Sequence, residues 1–532
     1  MNKRKIKLTS LITVIAMVIT AIGSIAATLA VSDNTFKKNT PTYFKLGTPV
    51  DGSIESADDY EAYMFEVEEN GTLSLCLEHD DYLDSAKSGW KTTLYKIIPG
   101  EETEYKEICY YESFWSDMTS DWDEVGITPG TYLIMVNPGL YVLESDFTLT
   151  TSFEPTEVHE CEPNDTKETF SYIDVGYGKY GASSNREVGM DVDWYAFDLT
   201  EDSCINLTFN HPAGNILQVG WTVTIYNGND EKVTQFTSRL SEDIITTGTL
   251  GLKADRYYIC VEPSTEFSET YTLVIASDRA VNHEFELNDT PETAIELPMN
   301  VKISGSLADK LLALDKDYFK FTVTEKGKID LTFSHDLIEE DKTGWNIRIL
   351  KPLEDGSMLE IVRKINKWNE ASSTIEDFGL EPGTYYVCID GDSMYYNSAS
   401  YGVKWVFTAD GKFETEPNGS LEQAEDVAIG EYYGGAIISS DVSYDEDYYR
   451  FTVDTDTNLC VEFSHEKLKG SSVCWNISIL DEEGNVITTS YSALNQNYVI
   501  SKIVSVSAGT YYVKIETGMY GSEIPYQFRI KR

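Results

Sequence analysis

Residues 159–166 read HECEPNDT, which crowds two glutamates, an asparagine and an aspartate into a few consecutive positions. The arrangement recurs as EFELNDT from Glu284 and as ETEPNGS from Glu414. In an extended segment successive side chains alternate, so both glutamates and the asparagine point the same way. The Asn-Asp or Asn-Gly step that follows favours a turn, which swings the next aspartate toward the same focus. Further along each stretch a second acidic pair stands just before an aromatic strand: Asp191 and Asp193, Asp315 and Asp317, Asp445 and Asp447. Carboxylates gathered this densely repel one another unless a cation lies among them. A donor set of carboxylates, an amide and carbonyls suits calcium, which takes roughly six to eight oxygen ligands in flexible geometry. Magnesium demands a tighter octahedron, and zinc prefers nitrogen and sulfur. His159 and Cys161 point toward zinc, but Phe285 and Thr415 replace the cysteine in the later copies. The sequence therefore leads us to expect Ca2+ in up to three sites.

The acids sit in a repeated frame. Four strands read aromatic-x-aromatic-x-aliphatic: YMFEV from Tyr63, YAFDL from Tyr195, FKFTV from Phe319 and YRFTV from Tyr449. Period-two alternation puts Tyr63, Phe65 and Val67, and their counterparts, on one buried face. A strand ending in His79, His211, His335 or His465 follows, then a loop leading to Trp90, Trp221, Trp345 or Trp475. A turn and a last β-rich run close the theme: TPGTYLIMV, KADRYYICV, EPGTYYVCI and SAGTYYVKI. Such short alternating strands between turn signals predict an all-β chain of four tandem jelly-roll-like antiparallel β-sandwich domains. The expected boundaries are 41–152, 158–278, 282–410 and 412–532, after a signal segment at 1–30. Nearly the whole chain is used, with no stretch left for a separate catalytic domain. The first repeat has Asp58, Asp59 and Glu61 but no acidic prefix, so no complete site is expected there. The fourth has Gly419 where the others carry aspartate, which predicts weaker binding.

EPNDT, followed by the acidic pair, the aromatic strand and PGTYYV, resembles the bacterial pre-peptidase C-terminal domain and the related collagen-binding module of clostridial collagenases. The resemblance covers repeats two to four and, without the prefix, most of repeat one. It implies a jelly-roll sandwich, secretion, and calcium held between the prefix and the acids before the aromatic strand. By position the implied ligands are Glu160, Glu162, Asn164, Asp165 and Asp193 in repeat two, and Glu284, Glu286, Asn288, Asp289 and Asp317 in repeat three. In repeat four they are Glu414, Glu416, Asn418 and Asp447. Asp191, Asp315 and Asp445 are further candidates, at a position whose spacing varies in the family. The resemblance also implies accessory roles beside secreted proteases and other hydrolases. Collagen-binding relatives carry tyrosines where this chain has Asn137, Glu262, Asp390 and Glu516, which argues against collagen as a partner.

The remaining features bound the function. A basic start, MNKRKIKLTS, precedes an apolar run from Leu11 to Val31 with small residues at its end, the layout of a secretory signal, with a retained anchor as the alternative. A net charge of −48 disfavours nucleic acid and anionic membrane as partners. The eight cysteines are scattered singly, so a disulfide framework is weakly supported, with Cys460–Cys474 the one candidate pair. Four of the six histidines recur at one place in the repeat, which indicates a structural role rather than catalysis. No GxSxG nucleophile motif occurs, and no acidic pair is singled out for glycoside hydrolysis. MYYNSASY (394–401) and EYYGG (431–435) are candidate exposed tyrosine patches. The reading is a secreted, non-catalytic binding, adhesion or spacer protein of the cell exterior, acting on an extracellular protein or polysaccharide. A protease-accessory role and a carbohydrate-binding role are the alternatives.

Overall fold

The computed structural model describes residues 41–532 apart from 81–86, 101–103, 123, 142–143, 188, 265–268, 309–314, 392–397, 439–444 and 521. The expected signal segment lies outside the described residues. Among the described residues the only helical element is a 3-10 turn, Pro291–Thr293, and no helix is long and apolar enough to cross a membrane.

Each repeat is built from two facing sheets. In repeat two one sheet runs Ser171–Tyr172, Asp193–Asp198, Arg256–Pro263, Val219–Tyr226, Lys232–Arg239. The other runs Gly178–Ser183, Glu269–Arg279, Ser203–Asn210, Ile244–Thr246, with Leu250–Leu252 also paired to Ser203–Asn210. Repeats one and four share this strand order, and repeat three differs by fusing the last two pieces into Ser372–Leu380. The architecture is a jelly-roll-like sandwich. It departs from a purely antiparallel plan at one edge, where a two-residue strand pairs in parallel with the aromatic strand in every repeat, as in Thr42↔Tyr63 and Ser171↔Tyr195. These residues fall into two compact units. One holds repeat one and most of repeat two; the other holds repeats three and four together with Asp202–Ile205 and Thr247–Lys253.

The alternating pattern fills the cores as expected: Tyr63, Phe65 and Val67 are buried, and so are their counterparts. Trp90, Trp221, Trp345 and Trp475 are wholly enclosed. Each packs against the repeat's histidine at 4.1, 4.4, 4.3 and 4.1 Å between ring centroids. The Nδ1 atoms of those histidines face the carbonyl of the next residue, Asp80, Pro212, Asp336 or Glu466, at 2.6–3.1 Å. This fixes the ring against the tryptophan and ends the strand, which is the structural role their recurrence suggested. The cysteines are all free, so Cys460 and Cys474 are not joined. Cys460 lies on Thr457–His465 and Cys474 on Val473–Leu480, which belong to opposite sheets rather than neighbouring strands. Tyr401, at the end of the candidate patch 394–401, is buried, and residues 394–397 of that patch lie outside the described residues.

The stretches between repeats are not loose linkers. Glu160 N–H donates to Tyr180 O within its own repeat at 2.8 Å, and Glu162 N–H donates to Gly126 O of repeat one at 2.9 Å. The later prefixes do the same, with Glu284 bonded to Ser304 and Glu286 to Gly251, then Glu414 to Gly434 and Glu416 to Gly379. Each prefix is thus an extended segment pinned on both sides. The receiving position must be glycine: an added Cβ would meet the carbonyl oxygen of Glu160, Glu284 or Glu414 at 1.7, 1.8 and 1.8 Å. Thr72, Cys204 and Lys328 face these three glycines, and the corresponding partner in repeat four, Asn458, faces Ser505. The Ser505 hydroxyl bonds Asn458 Oδ1 at 2.7 Å. Gly379→Ala is therefore expected to destabilise the second unit by about 1–3 kcal/mol through overpacking against backbone. Ser505→Ala leaves it unchanged, and differential scanning calorimetry on the full chain checks both.

Candidate metal centres

The prefix and two strands converge on each acidic cluster. The prefix supplies the two glutamates and the asparagine. The aromatic strand carries the second acid at its start and is tied to the prefix there: Asn164 O accepts from Trp194 N–H at 2.9 Å, and Asn288 and Asn418 do the same for Tyr318 and Tyr448. The last strand of the repeat supplies a buried tyrosine, Tyr271, Tyr401 or Tyr526. Residues far apart in the chain therefore meet at one end of the sandwich. Glu284 and Asp317 are bridged by Tyr401 Oη, at 3.1 Å and 2.6 Å. Tyr271 donates to Asp193, and Tyr195 to Glu160. Tyr526 and Tyr449 repeat this web on Asp447 and Glu414.

The first glutamate organises the cluster. Glu160 accepts from Ala182 N–H at 2.6 Å, from Asn164 Nδ2 at 3.0 Å and from Tyr195. Glu284 and Glu414 accept from Ser306 and Ala436 N–H, and from Asn288 and Asn418 Nδ2 at 3.0 and 3.1 Å. Turning the amide nitrogens toward the glutamate leaves Asn164 Oδ1, Asn288 Oδ1 and Asn418 Oδ1 fully buried with no hydrogen-bond partner among the described residues. Asp193 Oδ1, Asp317 Oδ1 and Asp447 Oδ1 are orphaned in the same way. Buried polar atoms are rarely left unpaired. The same two acceptors recur thrice, so the residues present fit a hard cation that accepts electron pairs from amide and carboxylate oxygens.

Candidate ligand atoms lie within 4.8 Å of one another in four groups: Glu160, Glu162 and Asp193; Glu162, Asp165 and Asp191; Glu286, Asp289 and Asp315; Glu414, Glu416 and Asp447. Repeat two thus has an inner and an outer group sharing Glu162. The outer acid is held by backbone in each repeat: Asp191 accepts from Ser184 N–H at 2.7 Å, Asp315 from Ala308 and Asp445 from Ile438 at 2.8 Å. All seventeen acids and amides expected from sequence fall at these three places. Repeat one forms no such group among the described residues. There Glu61 takes the register position of Asp193, and Phe147 stands where Tyr271 stands, so the tyrosine bridge is lost.

The structure adds groups that the acidic pattern alone did not reveal. The tyrosines of the last strand are one set; their signal is Tyr271, Tyr401 and Tyr526 against Phe147 in the repeat without a prefix. Arg186 is another. Its guanidinium, 8% exposed, pairs with Asp165 and Asp191 and approaches Glu162 at 3.3 Å. Burial acts to lower its pKa, but Glu162, Asp191 and Asp165 outweigh that and hold it well above the ordinary value.

No family model matches the chain. Collagenase ColA of Clostridium perfringens (strain 13 / Type A) is 25% identical over 252 residues, covering 44% of this chain and 21% of that enzyme. The chain thus matches about a fifth of its curated relative's length. A pre-peptidase C-terminal domain of collagenase from Bacillus anthracis is 21% identical, covering 20% of this chain and 94% of that domain, with a TM-score of 0.17. A triple jelly-roll protein of an archaeal virus matches at 8% identity over 67% of this chain and 90% of its own, with a TM-score of 0.19. The repeats are similar to the pre-peptidase C-terminal modules of collagenases. In these PPC-like modules the acidic prefix is the region where the buried charge concentrates.

That charge has a pH signature. Burial, reinforced by the neighbouring Glu162, pushes Glu160 up to about 8; burial with Glu286 does so for Glu284, and burial with Asp445 for Glu414. Burial also raises Asp193, Asp317 and Asp447. A group whose folded pKa exceeds its unfolded one stabilises fully below the unfolded value and loses that contribution as pH rises through the folded value. In chelator the melting temperature is therefore expected to fall between pH 5 and pH 8.5, by roughly 4 °C for each kcal/mol lost. Thermal melts across that range, with and without excess calcium, check this: added calcium removes the fall.

Proposed function

We propose that the chain is a non-catalytic extracellular binding and spacing protein whose PPC-like repeats are fixed end to end by calcium at their acidic prefixes. One observation carries the reading. The second glutamate of each prefix donates its backbone N–H to the preceding repeat, while its carboxylate belongs to the acidic cluster of the following one. A cation in that cluster would tie the two repeats through a single residue. Glu160, Glu162, Asn164 and Asp193 would hold it in repeat two, and Glu414, Glu416, Asn418 and Asp447 in repeat four. In repeat three the set would be Glu284, Glu286, Asn288, Asp289, Asp315 and Asp317. The ion would supply the positive charge that lets the buried carboxylates stay ionised.

Support for a binding role rather than catalysis comes from the residues themselves. Four of the six histidines are committed to tryptophan stacking at strand ends, and the prefix acids to a recurrent structural cluster. The relative that is a collagenase favours a second reading, in which the chain accompanies a separately encoded secreted hydrolase. The position matching the collagen platform holds Asp390 paired with Arg348 and Glu516 paired with Lys514. These charged pairs favour a polysaccharide or another extracellular protein over collagen.

Calcium titration of the full chain by calorimetry tests the metal. Binding is expected to disappear at repeat four in Asp447→Asn, and chelator is expected to lower the melting temperature and broaden the small-angle scattering profile. Unchanged melting and scattering in chelator would reject the reading. A glycan and matrix-protein array, run with and without calcium, identifies the partner class. Capture of a co-secreted hydrolase instead would establish the accessory role.

A further inference from the structure

We propose that Arg186 is a built-in cation that takes the place of a divalent ion in the outer acidic group of repeat two. The inference rests on the calcium reading above and refines it. Glu162, Asp165 and Asp191 gather around the guanidinium in repeat two, and the matching Glu286, Asp289 and Asp315 gather in repeat three. The two sets are the same acids in the same frame. Arg186 engages all three carboxylates of its set, and its shape suits that task because a guanidinium presents several donors in one plane.

The loop that carries Arg186 is also anchored on repeat one. Asn185 O accepts from Tyr110 N–H at 2.9 Å, Glu187 N–H donates to Glu107 at 2.7 Å, and Lys91 pairs with Glu187 at 2.9 Å. Lys106 of repeat one reaches Asp165 at 2.6 Å. Two side-chain cations therefore already neutralise the outer group at this joint. The fourth repeat has Gly419 where repeat two has Asp165 and repeat three Asp289. It is therefore the copy left with the inner group alone among the described residues. Repeat two keeps all its acids and internalises a counter-charge, so its outer group is closed to metal while its inner group stays open.

Removing the arginine should uncover a site. Full-length protein and its Arg186→Ser and Arg186→Lys variants are titrated with Ca2+, and bound ions are counted by native mass spectrometry and equilibrium dialysis. R186S is expected to take one ion more than the parent, and R186K the same number as the parent. In chelator R186S should melt below the parent, with calcium restoring most of the loss. An R186S protein that is folded and binds no additional ion overturns the proposal. So does one that stays unfolded at saturating calcium, because an ion should then replace the guanidinium. The two readings fail separately: a parent that binds no ion while R186S gains one removes the calcium role and leaves Arg186 as stated.

Discussion

Like charges taken out of water set the terms for this protein. Each prefix drives carboxylates into a space where the charged form loses its hydration, and unpaired burial of such groups is among the costliest arrangements a fold can contain. The surrounding chain answers with donors: a backbone N–H on the first glutamate, an asparagine amide beside it, and a tyrosine hydroxyl from the last strand, joined in repeats two and four by a second from the aromatic strand. The donors satisfy part of the cluster and leave a fixed remainder of acceptors. That remainder, the asparagine and aspartate oxygens, is the same in three repeats, which makes it a property of the module.

The same strand performs a second task. Because it is extended, its backbone groups alternate direction, and successive glutamates donate to opposite neighbours. One repeat's edge and the next repeat's interior are thereby joined through a few residues. Electrostatics and assembly meet in one segment: any change in the charge balance of the cluster acts on the residue that also grips the preceding sandwich. In repeat two that balance includes the guanidinium of Arg186, with Lys106 contributed by repeat one.

Much of this was legible in the sequence. Period-two alternation announced the strands, and four-fold recurrence of histidine and tryptophan announced the packing of the core. The convergence of Glu284 with Asp317 could be anticipated because both stand at fixed places in a repeated frame. What escaped notice had physical reasons. A tyrosine that bridges two carboxylates looks like any strand tyrosine until the last strand is seen beside the first, so nothing in the sequence assigned Tyr401 to the acidic cluster. A lone arginine in a loop carries no pattern, and Arg186 acquires meaning only when three acids close around it. Cys460 and Cys474 seemed near neighbours because sequence does not say which sheet a strand joins. The two-residue parallel edge strands are too short to leave a periodic trace.

The glycines that receive the prefixes make the order of the repeats chemically unequal. Gly126, Gly251 and Gly379 each leave room for an incoming carbonyl, and Ser505 does not. A shuffled chain with the fourth sandwich moved upstream would thus present a side chain where a neighbour's backbone has to nestle. The modules are not freely permutable beads: one missing methyl group, facing the backbone of the prefix rather than its carboxylates, sets which of them can accept a successor in this manner.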